Sequence, residues 1–290
     1  MHRRKAIQLM SLAPLGAAMD LRELGRSVAD LPNTPRMPVL FLGHGSPMNA
    51  IEDNPFTRGW RDLGKDLPKP STILCISAHW ETHGTFVTGM EKPRTIHDFG
   101  GFPQALFDVQ YPAPGSAALV QNVQAAATSQ HIGVDHTWGL DHGAWSVIMH
   151  LFPKADVPVV QLSLDRNMSP QQHYDLAREL SVLRTKGVLI IGSGNMVHNL
   201  GVLDWNNPDS GYDWAIEANE RMKQAITSGD HSVLISYQAQ GRAFQLSIPT
   251  REHFLPLLFT LGLKAKDEPV VIFNDRTLMG AISMTSLRIG

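Results

Sequence analysis

The chain has 290 residues, of which 43% are hydrophobic and 18% charged, and its formal net charge is -2. This composition is typical of a globular protein and excludes a fibrous or disordered chain. Without a long basic run, the sequence predicts no nucleic-acid partner. The single cysteine, Cys75, excludes an internal disulfide and a cysteine-based zinc site. No apolar stretch reaches the roughly 18 to 20 residues of a membrane span, so we expect no membrane partner.

The N-terminal region differs in character from the rest of the chain. Arg3-Arg4-Lys5 precedes a moderately apolar segment that ends in small residues, so residues 1–25 resemble a weak twin-arginine export signal. The alternative is an extension outside the core of a cytoplasmic protein. We therefore expect residues 1–36 to be an N-terminal extension, or an export signal with a linker, and residues 37–290 to be the catalytic domain. Export would place the protein in the periplasm.

Apolar runs that stop at Gly, Ser or Pro alternate with segments that have helical spacing. Strands are predicted where β-branched residues dominate, and helices where alanine and straight-chain residues recur every three to four positions. This alternation predicts an α/β fold, a single domain with a central, mostly parallel or mixed sheet flanked by helices. In chain order the predicted elements are strands at 37–42 and 72–77, helices at 117–128 and 145–151, a strand at 157–164, a helix at 170–185, a strand at 188–191, a helix at 213–228 and a strand at 246–249.

Four of these predicted strands run into a histidine. The histidines are His44, His79, His198, which follows a Gly-Ser-Gly turn, and His253. Because ligands of α/β sheets collect at the carboxyl ends of the strands, we predict that these imidazoles form a metal site. Imidazole suits Zn, Fe, Ni and Cu, so the ligand type leaves both a hydrolase and an oxygenase open. The structural alternative is a hydrogen-bonded or surface histidine. We expect His2, His131, His173 and His231 to be solvated, because they lie in polar or terminal contexts.

Two further segments carry groups that could act on a substrate. His142 follows Asp141 at the start of a predicted helix, where it could shuttle protons while Asp141 fixes its tautomer. The alternative is that Asp141 caps the helix. A glycine-containing loop carries His97, Phe99 and Phe102. This loop fits either a cover for the substrate or a surface loop with its own small aromatic core.

Seven motifs of this chain occur in an order that is known from one enzyme family. They are Gly43-His44-Gly45-Ser46-Pro47, Ser77-Ala78-His79-Trp80-Glu81, residues 98–103, residues 111–115, residues 139–143 and the segments around His198 and His253. Together they resemble the class III extradiol ring-cleavage dioxygenases, the LigB-like superfamily. Within it, the chain is similar to the 4,5-DOPA extradiol dioxygenase-like proteins of bacteria and plants. The similarity covers about residue 38 to the C-terminus.

The resemblance implies a LigB-like α/β fold and cleavage of a catechol ring next to its two hydroxyls, with incorporation of both oxygen atoms. In the superfamily two histidines and a glutamate hold Fe(II). His44 and His79 match the two histidines, and the third place falls at Glu252-His253, where DOPA-type members similarly offer a histidine. An all-imidazole site also accepts zinc, which has no second oxidation state for the redox step. We therefore expect Fe(II) for activity, with Zn as the alternative bound metal.

The same resemblance implies roles for the remaining histidines. His198 resembles an acid/base histidine that can also be a fourth metal ligand, and His142 resembles a second proton-handling histidine. We hypothesise that the protein cleaves a small, substituted, DOPA-like catechol with dioxygen, and that His97, Phe99 and Phe102 contact the substrate. The rival hypothesis is a zinc-binding protein of the same fold, with a hydrolytic or ligand-binding role and no ring cleavage. The sequence predicts neither the natural catechol nor the oligomeric state.

Overall fold

An eight-stranded mixed sheet flanked by helices carries the fold in a computed structural model, which describes residues 31–290. This confirms the predicted α/β class. The strands are β1 Val39–Gly43, β2 Thr72–Thr82, β3 Thr85–Thr88, β4 Ile132–Asp135, β5 Val159–Asp165, β6 Val188–Gly194, β7 Val270–Phe273, β8 Thr277–Leu278, β9 Ile282–Ser283 and β10 Ser286–Ile289. The α-helices are α1 Pro55–Asp66, α2 Gln104–Phe107, α3 Ala117–Ala126, α4 His142–Leu151, α5 Pro170–Leu180, α6 Asp213–Ser228, α7 His231–Ile235, α8 Arg242–Ser247 and α9 Leu255–Gly262.

The large sheet has the strand order β4-β3-β5-β2-β6-β1-β10-β7. Its centre is parallel, since β2 pairs in parallel with both β5 and β6, and β6 pairs in parallel with β1. The edge that ends in β10 and β7 is antiparallel. Central parallel strands are covered on both faces, which explains why their sequences are continuous apolar runs. Their carboxyl ends therefore meet at one edge, where a site can form.

The core lies in two layers, one on each face of the sheet. Successive strand residues point to opposite faces, and β1 follows this rule: Val39 and Phe41 enter one layer, while Leu40 and Leu42 enter the other. The first layer packs against α3, α5, α6, α8 and α9, and the second packs against α1 and α4. The sheet is thus held from both sides, and α4 brings its N-terminus to the carboxyl ends of the strands.

The predicted helices at 117–128 and 213–228 are confirmed as α3 and α6. The helix predicted at 170–185 ends earlier, because α5 passes into a 3-10 helix, Ser181–Lys186. The strand predicted at 246–249 is wrong: this run is the last turn of α8 and the loop after it. Four apolar residues cannot distinguish a strand from the end of a buried helix.

The prediction of a solvated His173 is also wrong. The residue lies on the inner face of α5, where its side chain is 2% exposed, and its Nδ1 donates a hydrogen bond to the carbonyl oxygen of Ser169. His131 is exposed as predicted, whereas His231 is half-buried and bonds to the hydroxyl of Tyr174. A helix that turns a polar residue inward gives no local sign in the sequence. His2 lies outside the described residues.

The start of the described chain packs onto the sheet layer. Leu31 is buried in the core, and the backbone N–H of Thr34 donates to the carbonyl oxygen of Thr185. The predicted export signal, residues 1–25, lies outside the described residues. Among the helices of residues 31–290, none has the length and apolar character needed to cross a membrane.

Candidate metal centre

Five histidine rings converge at the carboxyl end of the central strands. The Nε2 atoms of His44 and His79 are 3.2 Å apart. The ring of His253 has its centroid 5.3 Å from that of His44 and 5.0 Å from that of His79. His142 lies 3.9 Å from His79, and His198 stacks on His253 with 3.5 Å between centroids. The structure thus brings together all four predicted metal ligands and the predicted proton donor.

His44 and His79 are placed by the ends of two parallel strands. His44 follows β1 directly, and its backbone N–H donates to the carbonyl oxygen of Gly194 at the end of β6. In β2 the pairing with β5 slips: Ile76 faces Leu162, but Glu81 faces Leu164, so five steps along β2 match two along β5. His79 lies in this irregular stretch. Such irregularities re-aim side chains beside functional sites.

His253 reaches the same point from between two helices, which corrects the prediction that all four histidines follow strands. It lies in the turn between α8 and α9, and its carbonyl oxygen accepts a hydrogen bond from the backbone of Asn195. A Cβ at Gly194 would collide with that carbonyl oxygen, so only glycine permits this approach. The backbone of His198 donates to Ser247 of α8. The end of β6 and the turn after α8 therefore position His198 and His253 together.

Three of the rings are fixed through Nδ1. Each Nδ1 faces an oxygen acceptor, which leaves Nε2 with the lone pair that a metal requires, an arrangement common around metal-binding histidines. The hydroxyl of Ser193 itself donates to the carbonyl oxygen of Gly143, so it can accept from His44. The pairs are His44 with Ser193 Oγ at 2.9 Å, His79 with Asp98 Oδ2 at 3.3 Å and His253 with Glu252 Oε1 at 2.9 Å.

Burial disfavours the charged form of three of the imidazoles, and hydrogen bonds favour the charged form of the carboxylates. Burial, followed by the charge of His79, holds the pKa of His44 well below its usual range, and burial with His142 does the same for the pKa of His79. Burial and then His253 lower the pKa of His198 to about 3. Burial raises the pKa of Glu252, but the hydrogen bonds from His253, from its own backbone and from Thr250 together outweigh burial and lower the pKa to about 2. Neutral imidazoles backed by carboxylates suit a divalent cation.

Asp98 lies behind two of the rings, and the sequence prediction missed it. Besides its contact with His79, one of its oxygens accepts the backbone N–H of His142 at 2.8 Å. The same oxygen lies 3.0 Å from His142 Nδ1, in a geometry outside that of a hydrogen bond. Contacts with His142 and His79 lower the pKa of Asp98 against the opposing effect of burial. The sequence signal that could have identified Asp98 as a site residue is its position at the start of the motif at residues 98–103.

The predicted catalytic role of Asp141 needs correction. Its carboxylate accepts from Ser77 Oγ at 2.6 Å, from Gln161 Nε2 at 2.7 Å and from the backbone of Ala144. It therefore caps α4 and ties it to β2 and β5, as the alternative interpretation held. Both oxygens of Asp141 are occupied by these hydrogen bonds. The carboxylate beside the ring of His142 is that of Asp98. The carboxylate of Asp141 stabilises the start of α4 because it accepts a backbone N–H that has no partner within the helix.

The aromatic loop divides into a part that reaches the site and a part that does not. Phe99 and Phe102 line the cavity in front of the histidines. His97 does not, which corrects its predicted contact with the substrate: its Nε2 donates to the carbonyl oxygen of Val109 and its ring packs against Trp145. His97 thus ties the start of the loop that presents the two phenylalanines to the segment that follows α2.

The cavity has a volume of about 580 Å³, within the range of small-molecule sites. Glu252 does not line it, since this carboxylate lies behind the ring of His253. At the Glu252-His253 position, then, the histidine faces the cavity and the glutamate orients it. The lining residues are His44, Gly45, Ser46, Pro47, Met48, His79, Asp98, Phe99, Phe102, His142, His198, Leu200, Leu203, Trp205, His253, Met279 and Ile282.

Comparison with known proteins decides the family. The sequence model described as the catalytic LigB subunit of aromatic ring-opening dioxygenase matches residues 38–281. The chain belongs to the LigB family. It is 47% identical over 259 residues to the 4,5-DOPA dioxygenase extradiol of Escherichia coli K12, covering 88% of this chain and 95% of that one. The protein of the same name from Beta vulgaris is 35% identical over 256 residues, covering 86% and 94%.

A solved structure supports the same family. The crystal structure of an uncharacterized protein from Escherichia coli K12 superposes with a TM-score of 0.78 at 42% identity, covering 88% of this chain and all of that one. The predicted LigB-like fold and the predicted class of reaction, extradiol ring cleavage by a dioxygenase, are therefore confirmed. A LigB dioxygenase works with a non-haem metal, and the converging imidazoles of this chain fit one.

Proposed function

We propose that this LigB-family protein cleaves a small substituted catechol with dioxygen, using Fe(II) held by His44, His79 and His253, with His198 as a fourth ligand or as a base. One observation carries the proposal: buried imidazoles, three of them anchored through Nδ1, converge beside a cavity with aromatic walls. Bound Fe(II) supplies Lewis acidity toward catechol hydroxyls and a redox route for dioxygen, whereas zinc supplies only the former.

The protein's own residues supply proton transfer and positioning. Burial lowers the pKa of His198 to about 3, so its ring is neutral at pH 7 and we assign it the proton of a catechol hydroxyl, whose acidity bound Fe(II) would raise. His142 lies on the opposite side of the cluster, next to Asp98, and we assign it the return of a proton to the opened ring. Phe99 and Phe102 cover the cavity and exclude water.

The experiment is anaerobic reconstitution of metal-free protein with either Fe(II) or Zn(II), followed by oxygen and a panel of catechols. We expect a coloured ring-opened product from the iron form only. No product from any catechol with the iron form, despite bound iron, would reject ring cleavage by this chain. His44→Ala and His79→Ala should each remove most of the bound metal while the far-ultraviolet circular dichroism stays unchanged. Metal content near that of the wild type in both variants would reject the site.

One observation favours a second candidate, a zinc protein without ring cleavage. Apart from Asp98, which is engaged by His79 and His142, the donors that face the described cavity are imidazoles, and such a set also accepts zinc. The same reconstitution separates the two functions. Metal analysis of protein purified from its native cells, without added metal, shows which ion the site holds there.

The cellular location follows from the N-terminus. We propose a cytoplasmic enzyme, or a periplasmic one if residues 1–25 act as an export signal. N-terminal sequencing of protein from the native cell distinguishes them: an intact Met1 or His2 excludes cleavage, whereas a start between Met19 and Arg26 supports export.

A further inference from the structure

The hairpin of β8 and β9 turns beside the cavity in a conformation that its sequence does not favour. The backbone N–H of Ala281 donates to the carbonyl oxygen of Leu278, and the two residues between them, Met279 and Gly280, have φ angles of 48° and 76°. A tight turn with positive φ at both central residues is of type I′, which favours Asn, Asp or Gly at the first of them. A methionine there is strained, because its Cβ crowds the backbone in the left-handed region.

Residues 199–212 hold this strained turn in place. The backbone N–H of Met279 donates to the carbonyl oxygen of Pro208 at 2.9 Å, and its carbonyl oxygen accepts the N–H of Asp204 at 2.8 Å. The same segment binds both the N–H and the carbonyl oxygen of Gly280. Strain of this kind persists only where the surroundings fix the backbone, and it is concentrated at ligand sites and active sites. The turn therefore presents the Met279 side chain from a fixed point.

Met279 lies between the histidines and the mouth of the cavity. Three positions further along the chain, Ile282 pairs with His198 in an antiparallel bridge, and both residues line the cavity. On its other side, the backbone of Met279 is bonded to Asp204. Trp205 follows Asp204, lines the cavity and is 74% exposed, so it marks the mouth. A catechol whose hydroxyls face the imidazoles directs a ring substituent outward, past Met279.

Core packing explains the residue before Met279 but not Met279 itself. Leu278 packs against the core layer that holds α1 and α4, whereas Met279 lines the cavity and is partly exposed. A methionine side chain is unbranched, flexible and polarisable, so it adapts to the shape of an apolar group beside it. A residue that breaks the local preference of its turn and faces a ligand cavity indicates a functional role.

We propose that Met279 is a specificity-determining residue, which contacts the carbon atoms of the substrate's ring substituent from the strained turn. This inference rests on the proposed ring-cleaving function and assigns a residue to recognition of the substituent. The two hydroxyls and the ring lie deeper, at the histidines, so unsubstituted catechol binds without this contact.

The test compares the effect of Met279→Gly on L-DOPA and on unsubstituted catechol. Glycine suits a positive φ, so the variant keeps the turn and loses only the side chain. With iron-loaded enzyme, we expect KM for L-DOPA to rise about fivefold or more, as for a lost apolar contact, and KM for catechol to change less than about twofold. Calorimetry on the zinc-loaded protein should give the same pattern in Kd without turnover.

The outcomes separate this inference from the proposed function. If the iron-loaded wild type cleaves neither compound, the proposed function fails, while the Kd values of the zinc-loaded protein still decide the role of Met279. An equal change for both compounds, an unchanged Kd for L-DOPA in Met279→Gly, or no binding of L-DOPA by the zinc-loaded wild type would overturn the inference.

Two control variants separate the side-chain contact from relief of the backbone. Ala155→Gly relieves another positive φ, 50°, in the segment after α4 and away from the residues that line the cavity, so it should leave both Kd values unchanged. Met279→Leu keeps an apolar side chain of similar volume in the same turn, and we expect it to keep Kd for L-DOPA within about twofold. Equal losses in the two glycine variants, or a leucine variant as weak as Met279→Gly, would contradict an apolar contact at Met279.

Discussion

At the scale of single residues, Asp98 connects the metal-binding and the proton-handling halves of the site. One of its oxygens faces Nδ1 of His79, while the other accepts the backbone N–H of His142 and lies 3.0 Å from Nδ1 of that ring. Carboxylates that contact the far side of a metal-binding histidine typically contribute a factor of about 10 to 100 in metal affinity. We therefore expect Asp98 to affect both metal binding and turnover without itself binding the metal.

We expect Asp98→Asn to weaken metal binding by about 10-fold or more, because the amide carries no charge to polarise His79. Competition with a chromophoric chelator measures the affinity. Asp108→Asn is the control, since Asp108 is exposed just after α2, its carboxylate accepts a hydrogen bond from Gln104, and it is not among the described residues that line the cavity. Unchanged affinity in the Asp98 variant would show that the carboxylate does not support the ligand.

A second pair of variants separates ligand from base at the stacked rings. We expect His198→Gln to keep at least half the metal and to lose ring cleavage by about 10² to 10⁴ fold, as for a lost general base. His253→Gln should lose metal first, because Glu252 orients that ring. Metal analysis and single-turnover assays check both. If His198→Gln empties the site as thoroughly, a four-histidine metal site replaces the base assignment.

The residue types of the site were predictable from the sequence, but the contacts between them were not. His44 and His79 follow apolar runs whose strand character is local, so their placement could be inferred. Asp98 and Ser193 contact histidines that are distant in the chain, and Glu252 contacts its neighbour His253 within a turn. The spacing of these residues in the sequence does not predict such contacts. Asp141 was assigned to the wrong function because sequence adjacency to His142 does not imply side-chain contact.

At the scale of elements, the parallel centre of the sheet was predictable, and the irregular pieces that shape the site were not. Strands β1, β5 and β6 are buried on both faces, so their sequences are nearly continuous apolar stretches that can be recognised without the structure. The slip in β2 that carries His79 depends on its pairing with β5, which lies far along the chain. The turn that carries His253 depends on the contact with Gly194, which is likewise set by tertiary packing.

Asp141 is the element-scale link between α4 and the sheet, and Asp141→Ala should cost about 3 kcal/mol of unfolding free energy. The cap contributes about 1 kcal/mol, and the buried groups of Ser77 and Gln161 lose their acceptor. Urea denaturation of the metal-free protein measures the loss. Ser116→Ala is the matched control: Ser116 caps α3 through one bond to Leu119 and should cost about 1 kcal/mol. Equal losses would mean that Asp141 acts only as a cap.

At the scale of the whole molecule, buried neutral histidines make the fold sensitive to acid. Burial lowers the pKa of His173 to about 4, so the unfolded chain binds a proton there at a higher pH than the folded chain. Stability from this group is therefore complete above about pH 6.5 and is lost as the pH falls toward 4. His44, His79 and His198 act in the same direction in the metal-free protein.

We expect His173→Asn to reduce the loss of unfolding free energy between pH 7 and pH 5 by about 2 kcal/mol, which is what one group with these two pKa values contributes. The amide can still donate to Ser169, so the helix keeps its bond. Urea denaturation of metal-free protein at both pH values gives the difference. His131→Asn, at an exposed position, should keep the wild-type loss. The same loss in both variants would contradict the role of His173.

The five converging histidines come from widely separated parts of the chain, and even the nearest two, His44 and His79, are 35 positions apart. An unfolded chain therefore offers no multidentate site, and a bound cation adds its free energy to the native state alone. Each tenfold rise of free metal above Kd then adds about 1.4 kcal/mol to stability. The lifetime of the protein against proteases would follow the metal supply of the cell, and equal half-lives with and without a chelator would refute this coupling.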